Sequence, residues 1–474
     1  MHYISTRGRA PTLDFEQATL AGLAADGGLY VPQVWPRFNE SEVAALAELR
    51  YPHLAARILA QFTGECIAPD ELARLSEDAY GNFARADGAA DAAPPLKQLD
   101  DSIYFLELFH GPTAAFKDFA LQLLGRLFAF FLARRGRTCT IVGATSGDTG
   151  SAAIEAVRGL DAVRMYMLHP AGRVSEIQRR QMTTVLDDNI HNLAIDGDFD
   201  DCQNLVKAMF NHAEFRQRHA LAAVNSINWA RIAAQIVYYF HAALELGAAT
   251  EQQAINFAVP TGNFGNVFAG VAARRIGLPI NRLIIGSNRN DILPRFFRSG
   301  KMTRRDINTT ISPSMDIQIP SNFERYLFEI CARDSDAVRA AMTRFADDGA
   351  FEVAPESWAD ARKLFFARQF SDEKTRAEMR RVHQQTSELI DPHSAVGVCA
   401  ARAFAEEVGG LGAPTIVLGT AHPAKFGAAV REACDVEAPL PPSLQAVMQR
   451  EERMQRVAND INAVKAVIER DAQG

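Results

Sequence analysis

Cysteine is scarce in this sequence of 474 residues: Cys66, Cys139, Cys202, Cys331, Cys399 and Cys434 lie far apart, with no C-x-x-C pair among the six. The spacing argues against a disulfide framework or a zinc ribbon and fits buried, reduced thiols in a cytosolic protein. The eleven histidines show no metal-ligand spacing, H-E-x-x-H included, so no metal site is expected. Positive charge is not in excess either. A net charge of -7 speaks against a nucleic-acid binder, which would carry a basic surplus, while leaving room for a locally basic site that takes anions. Long apolar runs are missing: the greasiest stretch, 121–133, is interrupted by Gly125 and Arg126, and no membrane partner is expected. The opening MHYISTRGRAP has no apolar h-region, so a secretory signal is not expected and the cytoplasm is the expected compartment. Repeats and low-complexity tracts are absent.

What remains is ordinary globular composition, 48% hydrophobic and 23% charged, in a chain too long for one typical core. Residues 1–95 read as a mainly helical domain, with apolar residues at helical spacing over 15–23, 40–50 and 52–62. ADGAADAAPPL (86–96) reads as a linker. From Ser102 onward short apolar runs alternate with helix-like segments. Strands are expected at 103–108, 138–142, 163–168, 190–195, 254–259, 283–286 and 414–418, with helices such as 118–135 and 229–246 between them. That alternation predicts an α/β region with parallel sheets covered by helices on both faces, spanning 96–440. Helices are expected to dominate 335–408, and a helical tail to occupy 441–474.

In open parallel sheets ligands sit beyond the carboxyl ends of strands, where glycine-rich turns feed helix N-termini. Three segments have that character: GATSGDTGSAA (143–153), VPTGNFGNVFAG (259–270) and LGTAHPAKFG (418–427). Glycines let backbone N–H groups approach an anion, and the helix dipole favours negative charge there. No Walker A lysine follows, and no G-x-G-x-x-G fingerprint is present. The deciding segment is ELFHGPTAAFKDFAL (107–121). Lys117 stands between Phe116 and Phe119, just past a strand-like run, and a dehydrated aromatic setting disfavours the ammonium form.

The pattern E-x-x-x-x-x-T-x-A-F-K-D-F-A resembles the lysine signature of the serine/threonine dehydratase and threonine synthase group of fold-type II (tryptophan synthase β-like) pyridoxal-phosphate enzymes. HGPTAAFKDFA, SGDTGSAA and TGNFGN together are similar to the threonine synthase branch. The likeness runs through GLAADGGLYVP, NSINWARI, SNRNDIL, SPSMDIQIPSNFER and DPHSAVG, over most of the chain.

The resemblance implies that Lys117 carries pyridoxal 5'-phosphate as a Schiff base and later shuttles protons. It implies that Gly262, Asn263, Phe264, Gly265 and Asn266 cradle the cofactor phosphate, that Thr420 meets the pyridine nitrogen, and that Asp148 faces the phenolic oxygen. A carboxylate beside a phenolate repels it, so one of the two must share a proton or find a donor. Substrate contacts are expected from Thr145, Ser146 and Thr149 in the first loop, and from Asn225, Ser226 and Arg231 in NSINWAR. His110 reads as structural, while Asn290, Asp291, His422 and Lys425 carry no definite role. The implied reaction converts O-phospho-L-homoserine and water to L-threonine and phosphate, in a monomer or homodimer. A serine/threonine dehydratase, a phospho-lyase giving 2-oxobutyrate, and a non-catalytic anion-binding protein on the same scaffold stay open as alternatives.

Overall fold

A computed structural model describes residues 1–81, 83, 93–222, 226–248 and 253–471. Two parallel sheets organise it. The larger has six strands in the order Phe365–Gln369, Ile280–Ser287, Ile255–Pro260, Thr415–Gly419, Ile103–Glu107 and Leu96–Gln98. Only the edge strand Leu96–Gln98 runs antiparallel. The smaller has five, Gln455–Val457, Ile190–Ile195, Val163–Pro170, Cys139–Ala144 and Leu221–Ala222, all parallel. INFAVP in the large sheet is buried at every position, the composition of a strand covered on both faces.

Each of the seven expected strands is present, as are helices Lys117–Arg135 and Trp229–Glu245. Two differences have physical reasons. Phe365–Gln369 lies inside a stretch expected to be helical. It follows helix Pro355–Leu364 without a glycine or proline break, and it becomes a strand because Ile280–Ser287 offers an open edge to pair with. Beyond Pro442, helices Pro442–Val447 and Ile461–Asp471 flank the strand Gln455–Val457, which extends the small sheet beside Ile190–Ile195. The expected linker falls mostly outside the described residues, and its last residue, Leu96, already opens the edge strand.

The N-terminal segment joins an antiparallel pair, Tyr3–Ser5 with Tyr30–Pro32, to helices Phe15–Ala21, Glu40–Leu46, Tyr51–Thr63 and Pro69–Tyr80. It packs behind the helix that begins at Lys117. Tyr80 donates its hydroxyl to the carbonyl of Phe119 at 2.8 Å, and the Tyr51 ring meets the Phe119 ring edge-on at 5.5 Å. Helix Trp229–Glu245 is buried from Trp229 through Ala243, so it runs through the core.

Three neighbouring strands of the large sheet, Ile255–Pro260, Thr415–Gly419 and Ile103–Glu107, point the same way. Their carboxyl ends therefore deliver the TGNFGN turn, Thr420 and the Lys117 segment to one edge. Strand Cys139–Ala144 of the small sheet delivers SGDTG opposite them. Among the described residues no helix is long and apolar enough to cross a membrane. Nor is any group of three His, Cys, Asp or Glu among them placed to hold a metal.

Candidate active site

The cleft between these strand ends is lined by Lys117, Asp148, Thr149, Arg231, Asn266 and Thr420, a concave site with convergent polar groups such as small-molecule sites have. Lys117 opens its helix, and the segment before it is pinned in place. Phe116 donates its N–H to the Thr420 carbonyl at 2.9 Å, His422 donates to the Ala114 carbonyl at 3.1 Å, and Ala114 takes a left-handed φ of 56° to make the bend. The Lys117 side chain is only 12% exposed and lines the cleft. Burial pulls its amine below the usual lysine range; Asp148 opposes that, and the cations Lys425 and Arg231 add to it.

Asp148 begins helix Asp148–Val157 and answers the question of its donor. Its Oδ1 takes the Lys425 Nζ at 2.7 Å and the Gln178 amide at 2.9 Å, while Oδ2 lies 3.4 Å from the Lys117 Nζ. Burial alone would raise this carboxyl, but Lys425 and Lys117 outweigh it and hold it far below the normal range. Gly147 makes the arrangement possible. Its φ is 145°, and a Cβ there would sit 2.5 Å from the Gln178 side chain.

The glycine turn is also strained to purpose. Phe264 holds a left-handed φ of 64°, kept there by rings of Phe323, Tyr326 and Phe365 at 5.2, 5.9 and 6.0 Å. A Cβ on Gly262 would come within 2.8 Å of the Ser314 carbonyl. Helix Gly265–Arg275 therefore starts with its N-terminus at the cleft, a natural place for an anion. The Asn266 side-chain nitrogen is buried there without a partner among the described residues, because Tyr238 and Tyr239 hold its oxygen. Asn263 is tied down by Ser321, whose hydroxyl donates to its side-chain oxygen at 3.2 Å.

Thr420 follows its strand with both backbone groups engaged, its N–H donating to Ser394 Oγ at 2.9 Å. Its own hydroxyl is buried, lines the cleft and has no partner among the described residues. The helix N-cap Asp391 supports this wall through Ser394 and through His393, whose Nδ1 lies 2.7 Å from the carboxylate. His393 Nε2 accepts the Ser314 N–H at 3.1 Å.

The expected substrate contacts separate. Arg231 is 4% exposed, lines the cleft, and leaves Nε and Nη1 unpartnered among the described residues. Burial pushes its guanidinium down to about 10. Ser226 and Thr149 line the same cleft. Thr145 is engaged in its own loop, its hydroxyl oxygen accepting the N–H groups of Gly147 and Gly150 at 3.0 and 2.9 Å. Ser146 is exposed on that loop, and Asn225 lies outside the described residues. His110 pairs with Glu107 at 2.7 Å. Asn290 and Asp291 sit away from the cleft wall, Asn290 in a network with Asn288 and Asp316, Asp291 paired with Arg295 at 2.8 Å. Lys425, Gln178 and His393 carried no role in the sequence, since what identifies them is a spatial neighbour far along the chain.

This donor set fits pyridoxal phosphate: a dry amine for the aldehyde, a helix N-terminus with an idle amide for the phosphate, and an idle hydroxyl on the wall between. Comparison with known proteins agrees. Residues 91–364 match the model of pyridoxal-phosphate dependent enzymes, residues 2–80 that of the threonine synthase N terminus, and residues 394–468 that of threonine synthase, C-terminal. Threonine synthase of Pseudomonas aeruginosa is 51% identical over 469 residues, covering 99% of this chain and 98% of its own. The crystal structure of PLP-bound threonine synthase from Brucella melitensis has a TM-score of 0.95 at 49% identity, covering 100% of both chains. The yeast threonine synthase structure has a TM-score of 0.94 at 38% identity, covering 100% of this chain and 99% of its own. The chain belongs to the threonine synthase family of pyridoxal-phosphate-dependent enzymes.

Proposed function

We propose that this protein converts O-phospho-L-homoserine and water to L-threonine and phosphate. The observation that carries the reading is one cleft holding a nearly buried lysine amine together with a buried Arg231 guanidinium whose Nε and Nη1 have no partner among the described residues. A reaction that expels phosphate from a cofactor-bound substrate needs two anion sites. The TGNFGN helix start supplies one and Arg231 with Ser226 the other.

Bound pyridoxal phosphate supplies an electron sink for the charge left when protons are removed next to the substrate's amino carbon. The protein's residues do the rest. Lys117 would hold the cofactor through its amine, and that amine, kept dry and only loosely tied to Asp148 at 3.4 Å, would be the group to take the substrate's α-proton. Arg231, with two nitrogens idle, holds the leaving phosphate by a fork of charge-assisted bonds and stabilises the charge that develops as it departs. Thr420 would offer its hydroxyl to the ring nitrogen, and a hydroxyl there, unlike a carboxylate, would leave that nitrogen unprotonated and moderate the pull on the substrate's electrons. Asp148, paired with Lys425, would face the phenolic oxygen of the bound cofactor and could accept a hydrogen bond from a proton there. Thr149 and the exposed Ser146 edge the loop that meets the substrate carboxylate, and Thr145 keeps that loop's turn in shape. For the conversion to balance, the β-carbon would give up a proton as phosphate leaves the γ-carbon with its bonding pair, the γ-carbon would take up a proton, and water would add its hydroxyl at the β-carbon as a proton returns to the α-carbon.

Product identification tests the reading. The protein incubated with phosphohomoserine should release phosphate and threonine in equal amounts, and Lys117→Ala should release neither. Phosphate with 2-oxobutyrate and no threonine would make it a phospho-lyase; turnover of threonine or serine alone would make it a dehydratase.

A further inference from the structure

Two lysines share one carboxylate in this cleft, and they share it unequally. The Lys425 Nζ is 2.7 Å from Asp148 Oδ1, and its side chain is 0% exposed. The Lys117 Nζ is 3.4 Å from Oδ2. Lys425 is also anchored by the Thr113 carbonyl, which accepts from its Nζ at 2.9 Å, and its short helical turn is held where the Ala424 N–H donates to His422 Nδ1 at 3.2 Å. Gln178 takes the remaining capacity of Oδ1 at 2.9 Å. So the nearer, fully buried and doubly anchored cation has the anion.

We propose that Lys425 is a positioning residue for Lys117: by taking Asp148 as its own ion-pair partner, it leaves the Lys117 amine without a committed counter-ion and free to bond the cofactor aldehyde. The inference rests on the reading above, in which Lys117 is the lysine that holds the cofactor. Capture requires a nitrogen lone pair. The amine nitrogen bonds to the carbonyl carbon, and the carbonyl oxygen leaves as water with the two amine hydrogens; an ammonium cannot begin this.

Charge counting gives the same answer. The groups facing Lys117 are Asp148, Lys425 and Arg231, and those facing Lys425 beyond them are Asp118 and His422. With both lysines charged, Asp148, the carboxylate within reach of both amines, would serve two buried ammonium groups, with Arg231 a further cation facing Lys117, while Asp118 is held by Thr113. Taking the proton from Lys117 leaves a neutral Lys425–Asp148 pair and relieves the repulsion from Lys425 and Arg231. Remove the Lys425 charge, and Asp148 becomes the counter-ion of Lys117. The amine then holds its proton to higher pH.

The test uses the full chain, stripped of cofactor and mixed with pyridoxal phosphate across the neutral to alkaline range. The rate at which the visible absorbance of lysine-bound cofactor appears is read against pH. In Lys425→Met the midpoint of that profile should move up by about one pH unit, with capture near neutrality slowed about tenfold. Lys425→Gln, which keeps a donor for both oxygens but no charge, should shift it the same way and guards against a failure of the methionine variant to fold. Adding Asp148→Asn to either should bring the midpoint back down, because the effect passes through that carboxylate. A midpoint that stays at the wild-type value in a folded Lys425 variant overturns the proposal. If instead the wild type captures no cofactor, or captures it on another lysine, it is the functional reading that fails.

Discussion

Tyr238 donates its hydroxyl hydrogen to the side-chain oxygen of Asn266 at 2.7 Å, and this contact fixes which end of that amide faces the cleft. Tyr239 reinforces it, reaching the same oxygen at 3.1 Å and the Asn266 backbone carbonyl at 2.8 Å. Burial pushes both phenols well above their usual range, so they remain donors. The Asn266 nitrogen is thereby left for the cleft, at the helix start proposed to take the cofactor phosphate. Replacing both tyrosines with phenylalanine should weaken cofactor binding about 5- to 30-fold, the consequence of about 1–2 kcal/mol of lost hydrogen bonding. Equilibrium dialysis of pyridoxal phosphate checks this, with each single variant falling between.

Arg231 is a buried cation with two donors unpartnered among the described residues, an arrangement that costs stability until an anion arrives. Arg231→Met should melt no lower than wild type in phosphate-free buffer. It should lose the stabilisation that phosphohomoserine gives the wild type, and its KM for that substrate should rise about 10- to 100-fold, as expected for about 1.5–3 kcal/mol of charge-assisted bonding. A raised cofactor dissociation constant with an unchanged KM would move Arg231 to the cofactor phosphate.

Asp118, next to the lysine, titrates in the wrong place for a surface carboxyl. Burial pushes it up to about 6, although the Thr113 N–H and hydroxyl, at 2.8 and 2.6 Å, favour its charged form. Between pH about 4 and about 6 the folded chain keeps a proton that the unfolded chain has released, so this group's stabilising effect is complete below that window and is lost as pH rises through it. The loss is on the order of 3 kcal/mol. Asp118→Asn keeps a partner for Thr113, whose hydroxyl can accept as well as donate, and removes the proton. Urea midpoints of both proteins across that window should show the wild type losing stability relative to the variant. Using the difference cancels the opposite trend of carboxylates such as Asp148.

Gly147→Ala should break the site from behind. The added methyl meets the Gln178 side chain at 2.5 Å in a backbone conformation that L-residues avoid. The expected cost is about 1–3 kcal/mol, with loss of bound cofactor colour at temperatures the wild type withstands. Gly427→Ala, where nothing lies within 4 Å, should leave both melting and colour unchanged.

The large-sheet strands that carry the site were legible because each is a short apolar run ending in a glycine or threonine turn, as in INFAVP before TGNFGN. Lys117 was legible because local features, Phe116, Phe119 and the preceding strand, already imply dehydration. The burial of Arg231 could be read only weakly, since a guanidinium on the first turn of a helix looks the same in sequence whether it faces solvent or a cleft. Lys425 and Gln178 were illegible. Both act on Asp148, one from the turn after Thr415–Gly419 in the large sheet and one from helix Glu176–Thr183 beside the small sheet, and no periodicity links them. The strand Phe365–Gln369 was hidden for a similar reason: its partner edge, not its own residues, makes it a strand.

The central claim is that one amine, sheltered at the start of its helix, bonds the cofactor. Reducing the coloured protein with borohydride, digesting it and locating the phosphopyridoxyl group by mass spectrometry tests that directly. The account predicts a single modified peptide carrying the group on Lys117, and none in Lys117→Ala. A group found on Lys425 or on any other lysine, or colour that survives in Lys117→Ala and reduces onto the protein, would contradict it.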